Sequence, residues 1–141
     1  MNTQTITQKQ TSTPTRYGKV LLIDDNSMDN FINKKILETG HFASCVISYQ
    51  GAPEALAYLK KENTEDLPEI IFLDINMPIM DGFQFLDAFA ELPAAIHQKC
   101  KIIMLSTSES FKDLNRANKN PFVKKFLNKP LSTPVISAIN I

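Results

Sequence analysis

From Lys19 onward, short apolar runs alternate with stretches whose apolar residues recur every three or four positions. The runs Val20–Ile23, Ser44–Ser48, Ile70–Leu73, Lys101–Leu105 and Val123–Leu127 predict strands. Three of them are near-continuous Val, Ile, Leu, Met and Phe, the composition of central strands covered on both faces. The fifth interrupts its apolar residues with Lys124-Lys125 and suits a sheet edge, where charge blocks further pairing. Between the strands the spacing predicts helices. Met28, Ile32 and Ile36 form one stripe, with Asn26 or Ser27 as cap and Gly40 as stop. Pro53 opens a second helix, with Ala52, Leu56 and Leu59 on one face. Phe83, Leu86 and Ala90 mark a third, and Phe111, Leu114 and Ala117 a fourth. A short last segment, Thr133–Ile141, has Val135, Ile136 and Ile139 to bury.

Five strands alternating with five helices predict an α/β fold, a doubly wound five-stranded parallel sheet with right-handed crossovers and helices on both faces. The flavodoxin-like order 2-1-3-4-5 puts the first and third strands side by side, and ligands of such sheets bind beyond the carboxyl ends of the strands. Residues 1–17, rich in Thr, Gln and Ser, offer too little apolar surface to offset their ordering entropy. They are expected to form a flexible polar tail before a single domain at 18–141.

Composition adds mainly exclusions. Fifteen basic and fifteen acidic residues cancel, so nothing global favours nucleic acid or an anionic membrane. Cys45 and Cys100 are far apart and outside any metal-ligand or redox spacing, which suits buried or idle thiols in a reducing compartment. No apolar run approaches the roughly 20 residues of a membrane span, and the N-terminus lacks a secretion-signal pattern. A cytoplasmic protein is expected.

The chemistry gathers at the predicted strand ends. Asp24-Asp25 closes the first strand, Asp74 the third, Ser106 the fourth and Lys129-Pro130 the fifth. Each alone has a plain explanation: a capping acid, a strand-terminal hydroxyl, a solvated lysine. Together they put three carboxylates, a hydroxyl and an amine on one edge. Clustered carboxylates repel one another unless a cation sits among them. Mg²⁺, which takes oxygen ligands and keeps several waters, suits such a set. Asp74 could then stay ionised as a nucleophile, with Lys129 and Ser106 available to phosphoryl oxygens. Asp81-Gly82 is expected to shape the turn into the third helix. Phe83, Phe85 and Phe89 are expected in the core, and His41 and His97 have no metal-like partners.

In order and spacing, Val20-Leu21-Leu22-Ile23-Asp24-Asp25-Asn26, Asp74-Ile75-Asn76-Met77-Pro78-Ile79-Met80-Asp81-Gly82, Ile102-Ile103-Met104-Leu105-Ser106 and Phe126-Leu127-Asn128-Lys129-Pro130 closely resemble the receiver domains of bacterial two-component response regulators. The resemblance covers roughly residues 18–141. It implies that Asp74 accepts a phosphoryl group and that Asp24, Asp25, Asp74 and the backbone carbonyl of Asn76 hold Mg²⁺. It further implies that Ser106 is the switch hydroxyl, Lys129 the site amine and Phe126 the rotating aromatic. Two positions depart from the common pattern: Ser106 replaces the more usual Thr, and Thr107 stands where alanine is frequent. Implied partners are a sensor histidine kinase or a histidine phosphotransfer protein, and a downstream protein target. No output module follows in the sequence, so signalling is expected through protein contacts, without direct nucleic-acid binding or membrane insertion. Three rivals fit less well. A haloacid-dehalogenase-type phosphatase would want an acid where Asn76 stands. A degenerate receiver would not need the intact acids, hydroxyl and lysine. A flavodoxin-like nucleotide binder would want a phosphate loop where Asp24-Asp25-Asn26 follows the first strand.

Overall fold

The computed structural model describes residues 14–107 and 111–141. Five strands, β1 (Tyr17–Ile23), β2 (Ala43–Tyr49), β3 (Ile70–Asp74), β4 (Lys101–Ser106) and β5 (Val123–Asn128), pair in parallel in the order β2-β1-β3-β4-β5. That is the doubly wound, flavodoxin-like order of the expected fold class. The helices are α1 (Ser27–Thr39), α2 (Ala52–Lys61), α3 (Gly82–Ala90), α4 (Ala94–Lys99), α5 (Phe111–Asn118) and α6 (Thr133–Ser137).

The central strands are buried on both faces, and their alternation splits the core in two. Leu21, Ile23, Ile71, Leu73, Ile102 and Met104 point into one cluster, against Leu56, Leu59, Phe83, Phe85, Leu86, Phe89, Ile96 and Ala117 of α2 to α5. Val20, Leu22, Ile70, Phe72, Ile103 and Leu105 point into the other, against Leu37 of α1 and Ile136 and Ile139 at the C-terminal end. β5 forms the edge with Lys124 and Lys125 exposed, and its register with β4 shifts between Ile102 and Ile103.

Several details differ from the sequence reading. α1 does not bury Met28 and Ile32; both are exposed, with Phe31 beside them, and Ile36 is only half-buried. Its inner face carries Asn30, Asn33 and Leu37 instead. The reason is tertiary: this side of α1 meets backbone polar groups that need partners. Asn30 Nδ2 donates to the Asp24 carbonyl at 2.9 Å, and Asn33 Oδ1 accepts from the Leu131 amide at 3.0 Å. A sixth helix, α4, was not read. It has six residues and buries only Ile96, too little for a periodic signal. Ala90 and Phe111 are exposed, so the inward residues are Phe83, Phe85, Leu86 and Phe89 in α3 and Ala117 in α5. Helix α6 ends at Ser137, and Ile139 is buried beyond it. Of the two thiols, Cys100 is buried and Cys45 exposed.

Termini of the helices follow their sequence signals more closely. Asn26 caps α1, accepting from the amides of Met28 and Asp29 at 2.9 and 3.1 Å. At its other end Gly40 has an ordinary negative φ, while His41 takes the left-handed conformation at φ 54°. Gly40 is closely approached: a Cβ there would stand 2.7 Å from Ile136 Cδ1 of α6, whose side-chain end would have to shift. The expected polar tail falls mainly on residues 1–13, outside the described residues. At its end Arg16 donates to the carbonyls of Ile136 and Ile139 and lies over the Phe42 ring. Among the described residues no helix is long and apolar enough to cross a membrane.

Candidate functional site

Strands β1 and β3 are adjacent in register, Ile23 opposite Leu73, so the residues that follow each stand together. This brings Asp24, Asp25 and Asp74 to one place, each offering a carboxylate oxygen within 4.8 Å of the others. Asp24 and Asp74 are 3% and 5% exposed, whereas Asp25 is open to solvent. Ser106 ends β4 and is fully buried. Its carbonyl accepts from the Lys129 amide at 2.9 Å, tying the end of β4 to the segment after β5.

The Lys129 side chain crosses to the acids. Its ammonium lies 2.8 Å from Asp24 Oδ2, 2.8 Å from Asp29 Oδ2 and 3.5 Å from Asp74 Oδ1. Asp29, in the first turn of α1, was not singled out from the sequence. Nothing in its spacing from Lys129 signals the pairing; only the packing of α1 beside the β5–α6 connection creates it.

Three carboxylates, of Asp24, Asp29 and Asp74, therefore gather around one ammonium, with Asp25 a fourth acid beside Asp24 and Asp74. Burial, reinforced by the Asp24 charge, pushes the Asp74 carboxyl up to about 6 despite the pull of Lys129. Burial works against the charge of Lys129, but its hydrogen bonds to Asp24 and Asp29 and the nearby Asp74 outweigh that and raise its pKa. The excess of negative charge and the hard oxygen donors fit a small divalent cation such as Mg²⁺.

The loop from β3 to α3 is shaped by its own residues. Asp81 and Gln84 form a reciprocal cap: Gln84 N donates to Asp81 Oδ1 at 2.8 Å and Asp81 N to Gln84 Oε1 at 2.9 Å. Gly82 N donates to the Ile75 carbonyl at 2.7 Å, and a Cβ at Gly82 would come within 2.6 Å of the Asp74 carbonyl oxygen. Only glycine lets α3 start so close to the acid-bearing strand. Asn76 and Ile79 are exposed on this loop, and Ile79 adopts φ 69°. On β5, Phe126 is half-buried, opposite Met104 and against the core face formed with α2 to α5. Thr107 is exposed just past Ser106. His97 is occupied structurally, its Nε2 2.6 Å from the Phe89 carbonyl and its ring against Phe89 and Phe122.

Comparison with known proteins places the chain in a family. The profile of the response regulator receiver domain matches residues 20–139. "Hybrid signal transduction histidine kinase L" of Dictyostelium discoideum is 32% identical over 123 residues, covering 86% of this chain and 7% of that protein. "Probable methanogenesis regulatory protein FilR2" of Methanothrix harundinacea is 31% identical over 117 residues, covering 80% of this chain and 72% of that protein. Among solved structures, a two-component response regulator from Cytophaga hutchinsonii superposes with a TM-score of 0.81 at 29% identity, covering 86% of this chain and 92% of that one. With a profile match over most of its length and an acid cluster at the β1–β3 switch point, the chain belongs to the response regulator receiver domain family.

Proposed function

We propose that this chain is a response regulator receiver that accepts a phosphoryl group on Asp74. The observation that carries the reading is the Asp74 carboxylate, buried at the end of β3 between Asp24, Asp25 and the Lys129 ammonium. The donor is a phosphohistidine on a sensor kinase or a histidine phosphotransfer protein, in the cytoplasm. An Asp74 carboxylate oxygen attacks phosphorus, the donor P–N bond breaks, and its electron pair stays on the imidazole nitrogen. Asp24, Asp25, Asp74 and the Asn76 backbone carbonyl would hold Mg²⁺, which when bound supplies positive charge beside the transferring oxygens. Lys129 neutralises a second share of that charge, and the Ser106 hydroxyl bonds one phosphoryl oxygen. Thr107, larger than alanine, narrows the approach to Asp74.

The added dianionic group then biases a two-state domain. Ser106 and its loop are drawn in, and Phe126 turns into the vacated space. The face made by α5, β5 and α6 changes accordingly, and a protein target reads it. Incubation with Mg²⁺ and acetyl phosphate tests the first step by intact mass. A single labile phosphoryl adduct is expected on the wild type and none on Asp74→Asn; an adduct that survives in the variant rejects the assignment. Ser106→Ala should still take the label while its conformational response weakens.

A further inference from the structure

We propose that Asp29 is a positioning residue that restrains the Lys129 ammonium on the α1 side of the site, in competition with the phosphoryl group on Asp74. The inference rests on the reading of Asp74 as phosphoryl acceptor. Its basis is the asymmetry of the lysine's contacts: hydrogen bonds of 2.8 Å to Asp24 and to Asp29, against 3.5 Å to Asp74. Asp24 has other work, since its Oδ1 accepts from the Asn26 amide at 2.9 Å and it belongs to the acid cluster suited to a cation. Asp29 lies outside that cluster. Its Oδ2 is committed to Lys129, and its amide is held by the Asn26 cap, so the carboxylate is anchored to the start of α1.

Phosphoryl transfer is governed by charge placement at the equatorial oxygens. An ammonium shared with Asp29 delivers only part of its charge there. Formation of the aspartyl phosphate from acetyl phosphate breaks the P–O bond to acetate as the Asp74 oxygen bonds phosphorus. Hydrolysis breaks that new P–O bond as water attacks. The same three oxygens carry the charge in both transition states. Releasing Lys129 from Asp29 therefore accelerates both steps together, whereas simple loss of structure slows them. Asp29 is one-third exposed, which limits the effect to roughly threefold.

The test measures both rate constants at saturating Mg²⁺ for wild type, Asp29→Asn, Asp29→Glu and Asp29→Asn combined with Lys129→Met, using acetyl phosphate. Asp29→Asn should raise formation and hydrolysis by similar factors, Asp29→Glu should restore wild-type rates, and the substitution should have no effect without Lys129. The ¹⁵Nζ resonance of Lys129 in the unphosphorylated protein should move in Asp29→Asn and stay in Asp29→Glu. Unchanged or slower rates with Asp29→Asn, or an effect that persists without Lys129, overturns the proposal while leaving the acceptor reading intact. Absence of any adduct on the wild type would instead overturn the acceptor reading, and this inference with it.

Discussion

Replacing Asp74 with Asn should stabilise the fold while abolishing phosphoryl acceptance. Asp74 is 5% exposed, and its carboxyl is pushed from 3.8 up to about 6 by burial first and the Asp24 charge second. A native pKa above the unfolded one means that the native state holds the proton more tightly. The protonated side chain is accommodated without penalty below about pH 4. The penalty then grows as pH rises and is complete once pH passes about 6. That difference corresponds to about 3 kcal/mol for burying the charged form at neutral pH. The isosteric amide avoids it. At about 3 °C per kcal/mol for a domain of this size, Tm should rise by roughly 5–10 °C at pH 7.5. The measurement is thermal unfolding by circular dichroism in EDTA from pH 4 to 8, comparing the two proteins at each pH. The gap should close toward pH 4, and excess Mg²⁺ should raise the wild type more than the variant, because a cation that binds only the native acids favours that state. No gain at pH 7.5, or a larger gain at pH 4 than at pH 7.5, would refute the charge-burial account.

Three further expectations test other parts of the molecule. Ile79 is 92% exposed and β-branched at φ 69°, so Ile79→Gly should relieve strain without losing packing and stabilise by about 1 kcal/mol in urea unfolding. The Tyr58 hydroxyl is buried without a hydrogen-bond partner among the described residues, and burial pushes its pKa up to about 12. Tyr58→Phe should therefore be neutral or stabilising by up to about 1 kcal/mol, and a clear loss would reveal a bound partner. Cys45 should react promptly with a thiol reagent at pH 8 in the native protein, whereas Cys100, buried and pushed up to about 12, should react only on unfolding. Equal labelling rates of the two thiols would contradict this.

The alternation of elements and the placement of acids at strand ends were legible because both follow from short-range pattern, whereas the strand order was that of the flavodoxin-like class. Alternation of apolar runs with helical stripes implies crossovers, and those crossovers put every strand's carboxyl end on one edge. The turn role of Asp81-Gly82 and the Asn26 cap of α1 were readable for the same reason, since their partners lie within a few residues, although the reciprocal partner Gln84 was not picked out. Helix α1 was legible in position but not in orientation. Its apolar residues suggested the wrong buried face, because Asn30 and Asn33 are drawn inward by the Asp24 carbonyl and the Leu131 amide, the second 98 residues away in sequence.

The sequence by itself determined the fold class and the residue types gathered at one edge. Local periodicity dictates each element, and parallel crossovers bring the strands' carboxyl ends together. The sheet order came from the fold class that the motifs resemble. The tertiary structure alone decided which charges face one another. The Asp29–Lys129 contact joins residues 100 apart, and the Asp74 pKa is raised by burial and by the charges of Asp24 and Asp25, far earlier in the chain. Electrostatic interaction depends on distance and on exclusion of water, and neither is written in the spacing of residues along the chain.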